Sequence, residues 1–280
     1  MLPEGVHALV RQALQEDIGA GDHTTLACIP AEAKGSARLL VKEEGVLAGV
    51  EVAQLVLAAV DERLHSRVLI SDGARVKKDD VAFTVNGPAR SILIAERVLL
   101  NFMQRMSGIA TLTRKFVDAL EGTGCRVLDT RKTTPGLRML EKLAVRSGGG
   151  HSHRSGLYDM ILIKDNHIDF CGGIPQAIAA ANRYLEQQGL DLAIEIEVRS
   201  MMELEQVLTT GGVHRVMLDN FGPADLRMAV QRVSGKLETE ASGGINLENA
   251  RVHAASGVDF ISVGALTHSA RALDLSLKAM

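Results

Sequence analysis

Apolar residues in the first part of the chain follow short helical and strand-like patterns. Four of them recur near the start at the spacing of an amphipathic helix: Val6, Leu9, Val10 and Leu14. Residues 50–60 and 91–106 have the same helical character. Short β-prone pieces lie between these segments, separated by turns such as Asn86-Gly87. Residues 1–109 therefore predict a small mixed α/β unit.

Beyond residue 109, short apolar strands alternate with helices. The strands are predicted at residues 126–129, 160–164, 193–198, 215–219, 237–241 and 260–263. The helices are predicted at residues 111–121, 139–146, 175–188, 201–209, 223–233 and 247–255. Buried-type strands that alternate with helices indicate a parallel sheet covered on its outer face. The short spacing of the later units favours a barrel over an open sheet with long crossovers.

Polar and glycine residues cluster where these strands end. They occur as Asp129-Thr130-Arg131-Lys132, Lys164-Asp165-Asn166-His167, Asp219-Asn220, Ser242-Gly243-Gly244 and Gly264-Ala265. Glu195 and Glu197 alternate on one strand, so both point to the same face of the sheet. In α/β barrels, catalytic residues come from the carboxyl ends of the strands and from the loops after them. A candidate active site is therefore expected at this end of the barrel.

The distribution of charge indicates a small anionic ligand. The chain carries 31 Lys and Arg against 34 Asp and Glu, a formal net charge of −3, so no general field attracts nucleic acid or an anionic membrane. Residues 126–167 are nevertheless basic, with eight Lys or Arg against four acids. Arginine recognises carboxylate or phosphate through two parallel hydrogen bonds. This stretch is therefore expected to form a cationic pocket.

Composition narrows the class of protein further. Aromatic residues make up 3% and Trp is absent, which argues against stacking platforms for single-stranded nucleic acid. Cys28, Cys125 and Cys171 lie far apart without zinc-ligand spacing, as fits a reducing cytoplasm. The longest apolar stretch, residues 46–60, is interrupted by Glu51 and is too short to span a bilayer. Neither nucleic acid nor a membrane is expected as a partner.

Glycines after the last two strands predict phosphate binding. Ser242-Gly243-Gly244 and residues 264–269 are expected to expose backbone N–H groups at helix N-termini, where phosphate binds. Each signal alone has an ordinary structural explanation: Lys132 as a solvated charge, Glu195 as an ion-pair partner, His268 as a helix cap. Their occurrence together on one face of the barrel favours a functional site.

The longest motifs resemble the quinolinate phosphoribosyltransferase family. They are residues 129–138, which read Asp-Thr-Arg-Lys-Thr-Thr-Pro-Gly-Leu-Arg, and residues 141–142, 144–146, 148–150, 153–154, 156–157, 162–167, 195–198, 218–221, 240–245 and 262–269. Residues 13–22 and 101–108 resemble amino-terminal motifs of the same family. The resemblance covers essentially the whole chain, and no departure falls at a position that would be catalytic.

This resemblance implies an α/β protein with two domains. Residues 1–109 would form an N-terminal α/β sandwich domain. Residues 110–269 would form a C-terminal incomplete (open) α/β barrel of the type II phosphoribosyltransferase kind, and the tail, residues 270–280, would pack back on the first domain. The resemblance also implies a cytoplasmic homodimer, or a larger assembly, whose active sites are shared across the interface.

The resemblance further implies a reaction and a role for each site residue. Phosphoribosyl pyrophosphate and quinolinate would give nicotinate mononucleotide, pyrophosphate and CO2, on the way to NAD. Quinolinate would be bound by Arg131, His153, Arg154, Lys164 and the partner subunit's Arg105. The catalytic residues would be Lys132, Lys164, Glu197 and Asp219, of which Glu197 and Asp219 would bind Mg²⁺ directly or through water. The 5-phosphate would be bound by Ser242, Gly243, Gly244, Gly264, Ala265 and His268.

Two other functions stay open at this point. A related phosphoribosyltransferase with another acceptor, of the type associated with molybdate transport, would share the fold and the phosphate sites. The cluster of Arg131, His153 and Arg154 favours a dicarboxylate acceptor instead. A non-catalytic phosphate-sugar sensor would bind ligand without releasing pyrophosphate. The intact Glu197, Asp219, Lys132 and Lys164 argue against it.

Replacement of Arg131 tests the expected acceptor site. Arg131→Ala removes a group that would bind a quinolinate carboxylate, so turnover of quinolinate should fall by about 10- to 100-fold. Steady-state kinetics with quinolinate as the acceptor measure the effect. Near-normal kinetics would remove Arg131 from the pocket.

Overall fold

A computed structural model of the chain describes Leu2 and residues 4–280. The first elements along the chain are α1 (Glu4–Ile18), α2 (His23–Cys28), β1 (Lys34–Val41), β2 (Gly45–Val46), α3 (Val50–Val60), β3 (His65–Val68), β4 (Arg75–Val76), β5 (Val81–Pro88), α4 (Ala89–Ala119), β6 (Arg126–Leu128) and α5 (Arg138–Ser147). The later elements are β7 (Ile161–Ile163), α6 (Asp165–Cys171), α7 (Ile174–Gln188), β8 (Ile194–Val198), α8 (Met201–Thr210), β9 (Arg215–Asp219), α9 (Pro223–Val233), β10 (Glu238–Ser242), α10 (Ala250–Ala254), β11 (Phe260–Ser262), α11 (Ala265–His268) and β12 (Leu275–Ala279). These elements form two compact units.

The first compact unit comprises the chain up to Arg114, Thr133–Gly149 and Leu266–Met280. Its main sheet is antiparallel with the strand order β12-β1-β5-β3, and β2 pairs with β4 in a small second sheet. Alternation along β1 buries Ala37, Leu39 and Val41, as a strand with one covered face requires. The final strand of the chain therefore pairs with its first.

The second compact unit, Lys115–Lys132 and Gly150–Ala265, contains a parallel sheet of six strands. Their order is β6-β11-β10-β9-β8-β7, and every neighbouring pair is parallel. No pairing among the described strands joins β6 to β7, so the barrel is incomplete. The predicted fold class is confirmed: an α/β sandwich is combined with an open α/β barrel.

One continuous helix, α4, replaces the two helices predicted at residues 91–106 and 111–121. Its middle carries small residues because other backbone segments approach it closely. A Cβ on Gly108 would lie 2.0 Å from the Arg271 carbonyl oxygen. The Ser107 hydroxyl accepts the Ala48 N–H at 2.9 Å. Ser107 and Gly108 are thus packing positions inside a helix, and a domain division near residue 109 stays a prediction.

The segment between β6 and β7 is divided between the two units. Residues 133–149, which the sequence-based boundaries place in the barrel domain, lie in the first compact unit. There α5 packs against α1, and Gly148 lies against Ala110 and Thr113 of α4. Contacts with residues distant in the chain decide where this segment packs, and spacing along the sequence does not reveal them.

Three helices differ from the sequence pattern. α2 and α6 were not predicted, and α10 is shorter than the helix predicted at residues 247–255. α2 begins at Asp22, whose side chain accepts the Thr25 N–H at 3.0 Å. α6 begins directly after β7 and therefore belongs to the end of the barrel where the candidate site lies. Across Leu2 and residues 4–280, each helix is too short or too polar to cross a membrane.

The close approach at Gly108 predicts an unusual response to alanine. Gly→Ala normally stabilises a helix interior by about 1 kcal/mol, but here the added Cβ would meet the Arg271 carbonyl. Gly108→Ala should instead lower the free energy of unfolding by about 1–3 kcal/mol, measured by chemical denaturation. Gly5→Ala in α1 is the matched control, because its nearest neighbour is the flexible tip of Met139. Equal effects of the two substitutions would contradict the packing explanation.

Candidate active site

Parallel pairing places the predicted strand ends at one edge of the barrel sheet, here called the carboxyl edge. Asp219 at the end of β9 is in register with Ser242 at the end of β10. Lys164 follows the last residue of β7, and Glu197 is next to last in β8. Arg131 and Lys132 follow β6. The residues of the second unit that the sequence proposes for catalysis therefore share one edge of one sheet.

Lys164 and Glu197 form an ion pair at the carboxyl edge. The Lys164 ammonium Nζ lies 2.7 Å from Glu197 Oε2. The lysine side chain is 45% exposed and the glutamate side chain 10%, so the cation reaches solvent while its partner stays inside. The backbone N–H of Lys164 also donates to His167 Nδ1 at 2.9 Å, where α6 begins. A strand partner and a helix start together set the position of this cation.

Asp219 is oriented by two donors. Ser242 Oγ donates to its Oδ1 at 2.7 Å, and Asn220 Nδ2 donates to its Oδ2 at 2.6 Å. Asn220 has a left-handed backbone with φ 57°, and Gly243 beside it has φ 94°. A Cβ on Gly243 would lie 2.2 Å from Asn220 Oδ1. The glycine is therefore required for the turn that aims the Asp219 carboxylate.

Arg131 and Arg154 bring two like charges together. Burial and the charge of Arg131 lower the pKa of Arg154, against the opposing effects of Glu195 and Asp159. Arg131 Nε is buried and has no hydrogen-bond partner among the described residues. Two neighbouring guanidinium groups with donors to spare favour the binding of an anion with more than one negative oxygen.

His153 has partners at its backbone N–H and at both ring nitrogens. Its backbone N–H donates to Asp129 Oδ1 at 2.9 Å, and its ring Nδ1 accepts the backbone N–H of Arg154 at 2.7 Å. Nε2 lies 2.9 Å from Glu195 Oε2 and 3.5 Å from Glu240 Oε2. Burial favours the neutral ring, but the two glutamates outweigh it and raise the pKa of His153 to about 9. A pKa of about 9 alone would protonate both ring nitrogens at neutral pH, but Nδ1 must be unprotonated to accept the Arg154 backbone N–H. The geometry decides between the two, and we assign a neutral ring with its proton on Nε2.

The two glutamates around His153 differ in their surroundings. Burial and the charge of Glu240 raise the pKa of Glu195 to about 7. Burial acts in the same direction on Glu240, but contacts with His153, Ser262 and Arg215 outweigh it and lower its pKa. Arg215 Nη1 lies 3.4 Å from Glu240 Oε2. The negative charge of the pair is therefore centred on Glu240.

Sequence reasoning did not single out Glu240 and Arg215. The available signal was alternation along β10, which puts Glu238 and Glu240 on the same face of the sheet as Ser242, the first residue of the predicted phosphate turn. Their partners could not be read from that pattern, because Arg215 lies on β9 and His153 in the segment before β7. The expectation that Glu195 is an ion-pair partner agrees with its contact to His153.

One of the eight basic residues expected in the pocket, Arg126, lies away from the carboxyl edge. Arg126 lies at the amino end of β6, the opposite end of the strand from the carboxyl edge. Its guanidinium stacks on the Phe260 ring at 4.3 Å, and Arg215 stacks on the same ring at 4.3 Å. Arg138, Lys142 and Arg146 belong to α5 in the first compact unit. Closeness in sequence placed Arg126 in the cluster, whereas the direction of β6 places it at the other end of the strand.

Arg105 and His268 lie in the first compact unit. The Arg105 guanidinium is 2.7 Å from Glu141 Oε1 and 3.1 Å from the Ala270 carbonyl oxygen, and it also contacts the Thr267 carbonyl. Its side chain is 28% exposed. His268 is exposed, and its Nδ1 lies 2.6 Å from Ser269 Oγ. Both residues therefore have partners within their own unit.

The predicted phosphate turns differ in their relation to helices. Gly264 and Ala265 follow β11 and lead into α11, as expected. Gly243 and Gly244 follow β10 with φ 94° and 60°, but the next helix begins only at Ala250. The expectation of a helix N-terminus at Ser242-Gly243-Gly244 is therefore wrong. Backbone N–H groups there are presented by a left-handed turn and not by a helix dipole.

Two family descriptions match the chain. They are "Quinolinate phosphoribosyl transferase, C-terminal domain" over residues 109–278 and "Quinolinate phosphoribosyl transferase, N-terminal domain" over residues 22–107. The tobacco (Nicotiana tabacum) protein "Quinolinate phosphoribosyltransferase [decarboxylating] 1b" is 46% identical, across 96% of this chain and 81% of its own. The Bacillus subtilis "Probable nicotinate-nucleotide pyrophosphorylase [carboxylating]" is 42% identical, across 96% of this chain and 91% of its own.

Solved structures agree with these matches. The nicotinate-nucleotide pyrophosphorylase of Francisella tularensis has a TM-score of 0.94 and 40% identity, covering 100% of this chain and 98% of its own. NadC from Streptococcus pyogenes also has a TM-score of 0.94, with 37% identity over 100% of this chain and 99% of its own. Fold and sequence therefore indicate the same family.

The raised pKa of Glu195 predicts a stability change with pH. The pKa of the Glu195 carboxyl is about 4.5 in the unfolded chain and about 7 in the folded protein. Its contribution to stability is therefore complete below about pH 4.5 and is lost as the pH rises through about 7. Glutamine cannot lose a proton, so Glu195→Gln should gain about 1–3 kcal/mol relative to the unmodified protein between about pH 5 and about pH 8. Thermal unfolding across this range measures the difference. Glu238→Gln on the exposed side of Arg215 is the control, and a Glu195→Gln difference as flat as that control would refute the prediction.

Proposed function

The chain belongs to the quinolinate phosphoribosyltransferase family, and from this premise we propose how the carboxyl edge carries out the reaction. The protein transfers the phosphoribosyl group of phosphoribosyl pyrophosphate to quinolinate, with decarboxylation, in NAD biosynthesis. The products are nicotinate mononucleotide, pyrophosphate and CO2. It is an enzyme of the pentosyltransferase class.

The observation that carries the acceptor assignment is the pairing of Arg131 with Arg154. Each guanidinium can hold one carboxylate through two parallel hydrogen bonds, which suits an acceptor with two carboxylates on adjacent ring carbons. The pKa of Arg154 is lowered by its burial and by Arg131, so a bound dianion would relieve the repulsion between them. An uncharged acceptor such as nicotinamide would leave it in place.

Further residues complete the proposed quinolinate site. Lys164 supplies a third cation at the carboxyl edge, and His153 lies directly before Arg154 in the chain. We assign the partner subunit's Arg105 to the same site. The guanidinium of Arg105 in one chain is bound by Glu141 and two carbonyl groups, with part of its surface still exposed. In this proposal, the two chains of a homodimer, or of a larger assembly, complete each other's sites.

The first chemical step depends on charge placement. The quinolinate ring nitrogen attacks the anomeric carbon as the bond to pyrophosphate breaks, through a transition state with oxocarbenium character. Lys132 and Lys164 would stabilise the leaving pyrophosphate. Glu197 and Asp219 would hold the ribose hydroxyls, because the Asp219 carboxylate is already aimed by Ser242 and Asn220. Catalysis of this kind works through positioning and electrostatic stabilisation.

Decarboxylation follows on the alkylated ring. The positive ring nitrogen draws the electron pair of the breaking C–C bond onto the neighbouring ring carbon, CO2 leaves, and the carbon takes up a proton. The carboxylate that stays has to remain bound while the other departs, which is a task for Arg131 or Arg154. The 5-phosphate would lie against residues at the ends of β10 and β11, the last two strands of the barrel: Ser242, Gly243, Gly244, Gly264 and Ala265. His268 keeps the role that the resemblance implies.

The donor groups present fit Mg²⁺. Magnesium prefers oxygen ligands and commonly takes one or two carboxylates together with substrate oxygens and water. Glu197 and Asp219 provide such carboxylates on neighbouring strands of the same edge, and Asp219 keeps lone pairs beyond those used by Ser242 and Asn220. Bound Mg²⁺ would neutralise charge on the pyrophosphate and make it a better leaving group.

The cytoplasm is the compartment we propose. Cys28, Cys125 and Cys171 are all free, as in a reducing environment. The names of several plant relatives place those proteins in chloroplasts or mitochondria, while that of the Bacillus subtilis relative names no compartment.

An assay of both products tests the proposed function. Purified protein with quinolinate, phosphoribosyl pyrophosphate and Mg²⁺ should release pyrophosphate and CO2 in equal amounts. Nicotinate and nicotinamide serve as parallel acceptors and should release neither, because they do not satisfy both guanidinium groups.

The alternatives give different outcomes in the same assay. Pyrophosphate without CO2, or turnover only with another acceptor, would move the protein to a related transferase. Ligand binding without release of pyrophosphate would make it a sensor.

A further inference from the structure

Two buried carboxylates in the barrel have no part in the reaction described so far. Glu195 on β8 and Glu240 on β10 are both 0% exposed. Carboxylates without access to water destabilise a fold strongly unless other groups pair with them. The group that both of them face is the imidazole of His153, at 2.9 Å and 3.5 Å from Nε2.

His153 connects these acids to the acceptor site through one peptide group. Its Nδ1 accepts the N–H of Arg154 at 2.7 Å, so the plane of the imidazole and the direction of that peptide are set together. On its other side, the His153 N–H is held by Asp129, which is fully buried. The ring is therefore fixed at one edge by the acids and at the other by the backbone that carries Arg154.

We propose that Glu195 and Glu240 are positioning residues for the acceptor: by fixing the His153 ring they set the Arg154 guanidinium at its place beside Arg131. This inference rests on the proposed function, because it concerns the recognition of quinolinate. Neither acid touches a substrate. Their loss should therefore weaken the binding of quinolinate and leave the binding of phosphoribosyl pyrophosphate unchanged.

Arg215 and Glu238 provide a matched control within the same network. Arg215 Nη1 lies 3.4 Å from Glu240, and its Nη2 lies 2.8 Å from Glu238. The Glu238 side chain is 49% exposed and is two residues before Glu240 on the same face of β10. Glu238→Gln therefore disturbs Arg215 as Glu240→Gln does, without touching His153.

The three groups could also hold a metal ion, because one ligand atom from each of His153, Glu195 and Glu240 lies within 4.8 Å of the others. The 2.9 Å distance between His153 Nε2 and Glu195 Oε2 suits direct contact through a proton. A protonated Nε2 cannot bind a metal. The two arrangements therefore differ in an observable property of the imidazole.

Kinetics of three glutamine variants test the proposal. Glu240→Gln and Glu195→Gln should raise the KM for quinolinate by about tenfold or more, with the KM for phosphoribosyl pyrophosphate within about twofold of its original value. Glu238→Gln should leave both KM values unchanged. Equal rises in both KM values, or the same response in Glu238→Gln, would overturn the proposal in favour of a general structural role.

A measurement on the unmodified protein covers the case in which the variants do not fold. Nitrogen-15 NMR of the histidine rings should show His153 with Nε2 protonated and Nδ1 unprotonated at neutral pH. A bare Nε2, a protonated Nδ1, or a metal ion bound to Nε2 would overturn the proposal. Failure of the proposed function is separate: it would appear as absent turnover of quinolinate in a protein whose His153 ring has the expected protonation.

Discussion

Charge placed inside the barrel constrains everything around it. β8 is buried along its whole length and yet carries Glu195 and Glu197. Each carboxylate needs a partner, and the partners come from different elements: His153 from the segment before β7 and Lys164 from the start of α6. Pairing these charges ties the loop after β6, the end of β7 and the middle of the sheet into one arrangement. The proposed substrate site is built on that arrangement.

The order of the parallel strands gives this arrangement its direction. Arg126, Arg215 and Phe260 lie at the amino ends of β6, β9 and β11. Both guanidinium groups stack on the Phe260 ring there, and these cation–π contacts connect the three strands. The carboxyl edge holds other groups: an aspartate oriented by two donors and a partly exposed lysine. The stacked residues and the proposed catalytic groups thus lie at different ends of the sheet, as is usual in α/β barrels.

Between the two ends of the sheet lies a group of buried polar side chains. Glu195, Glu240 and His153 are buried, but they connect directly to the peptide that bears Arg154. A layer of buried, paired charge transmits the geometry of the strands to an arginine at the edge. Apolar side chains of similar volume would fill the space, but they could not fix the ring of His153 through its polar edge.

The sequence by itself determined the strands of the barrel and most of its helices, because burial on a parallel sheet imposes a periodicity that can be read locally. Strand ends followed from the same pattern, which is why Lys164, Glu197, Asp219 and Ser242 could be predicted to share one edge, and the long motifs identified the family.

Tertiary structure decided what depends on partners distant in the chain. Ser107 and Gly108 carry the same local signal whether a helix ends there or another backbone packs against it, and only the approach of Arg271 distinguishes the two. Arg126 separates from Arg131 because opposite ends of a strand lie apart, although the two are neighbours in sequence. Glu240 finds His153 through the interior of the barrel, and no spacing along the chain encodes a contact between two elements that meet only when the sheet curves.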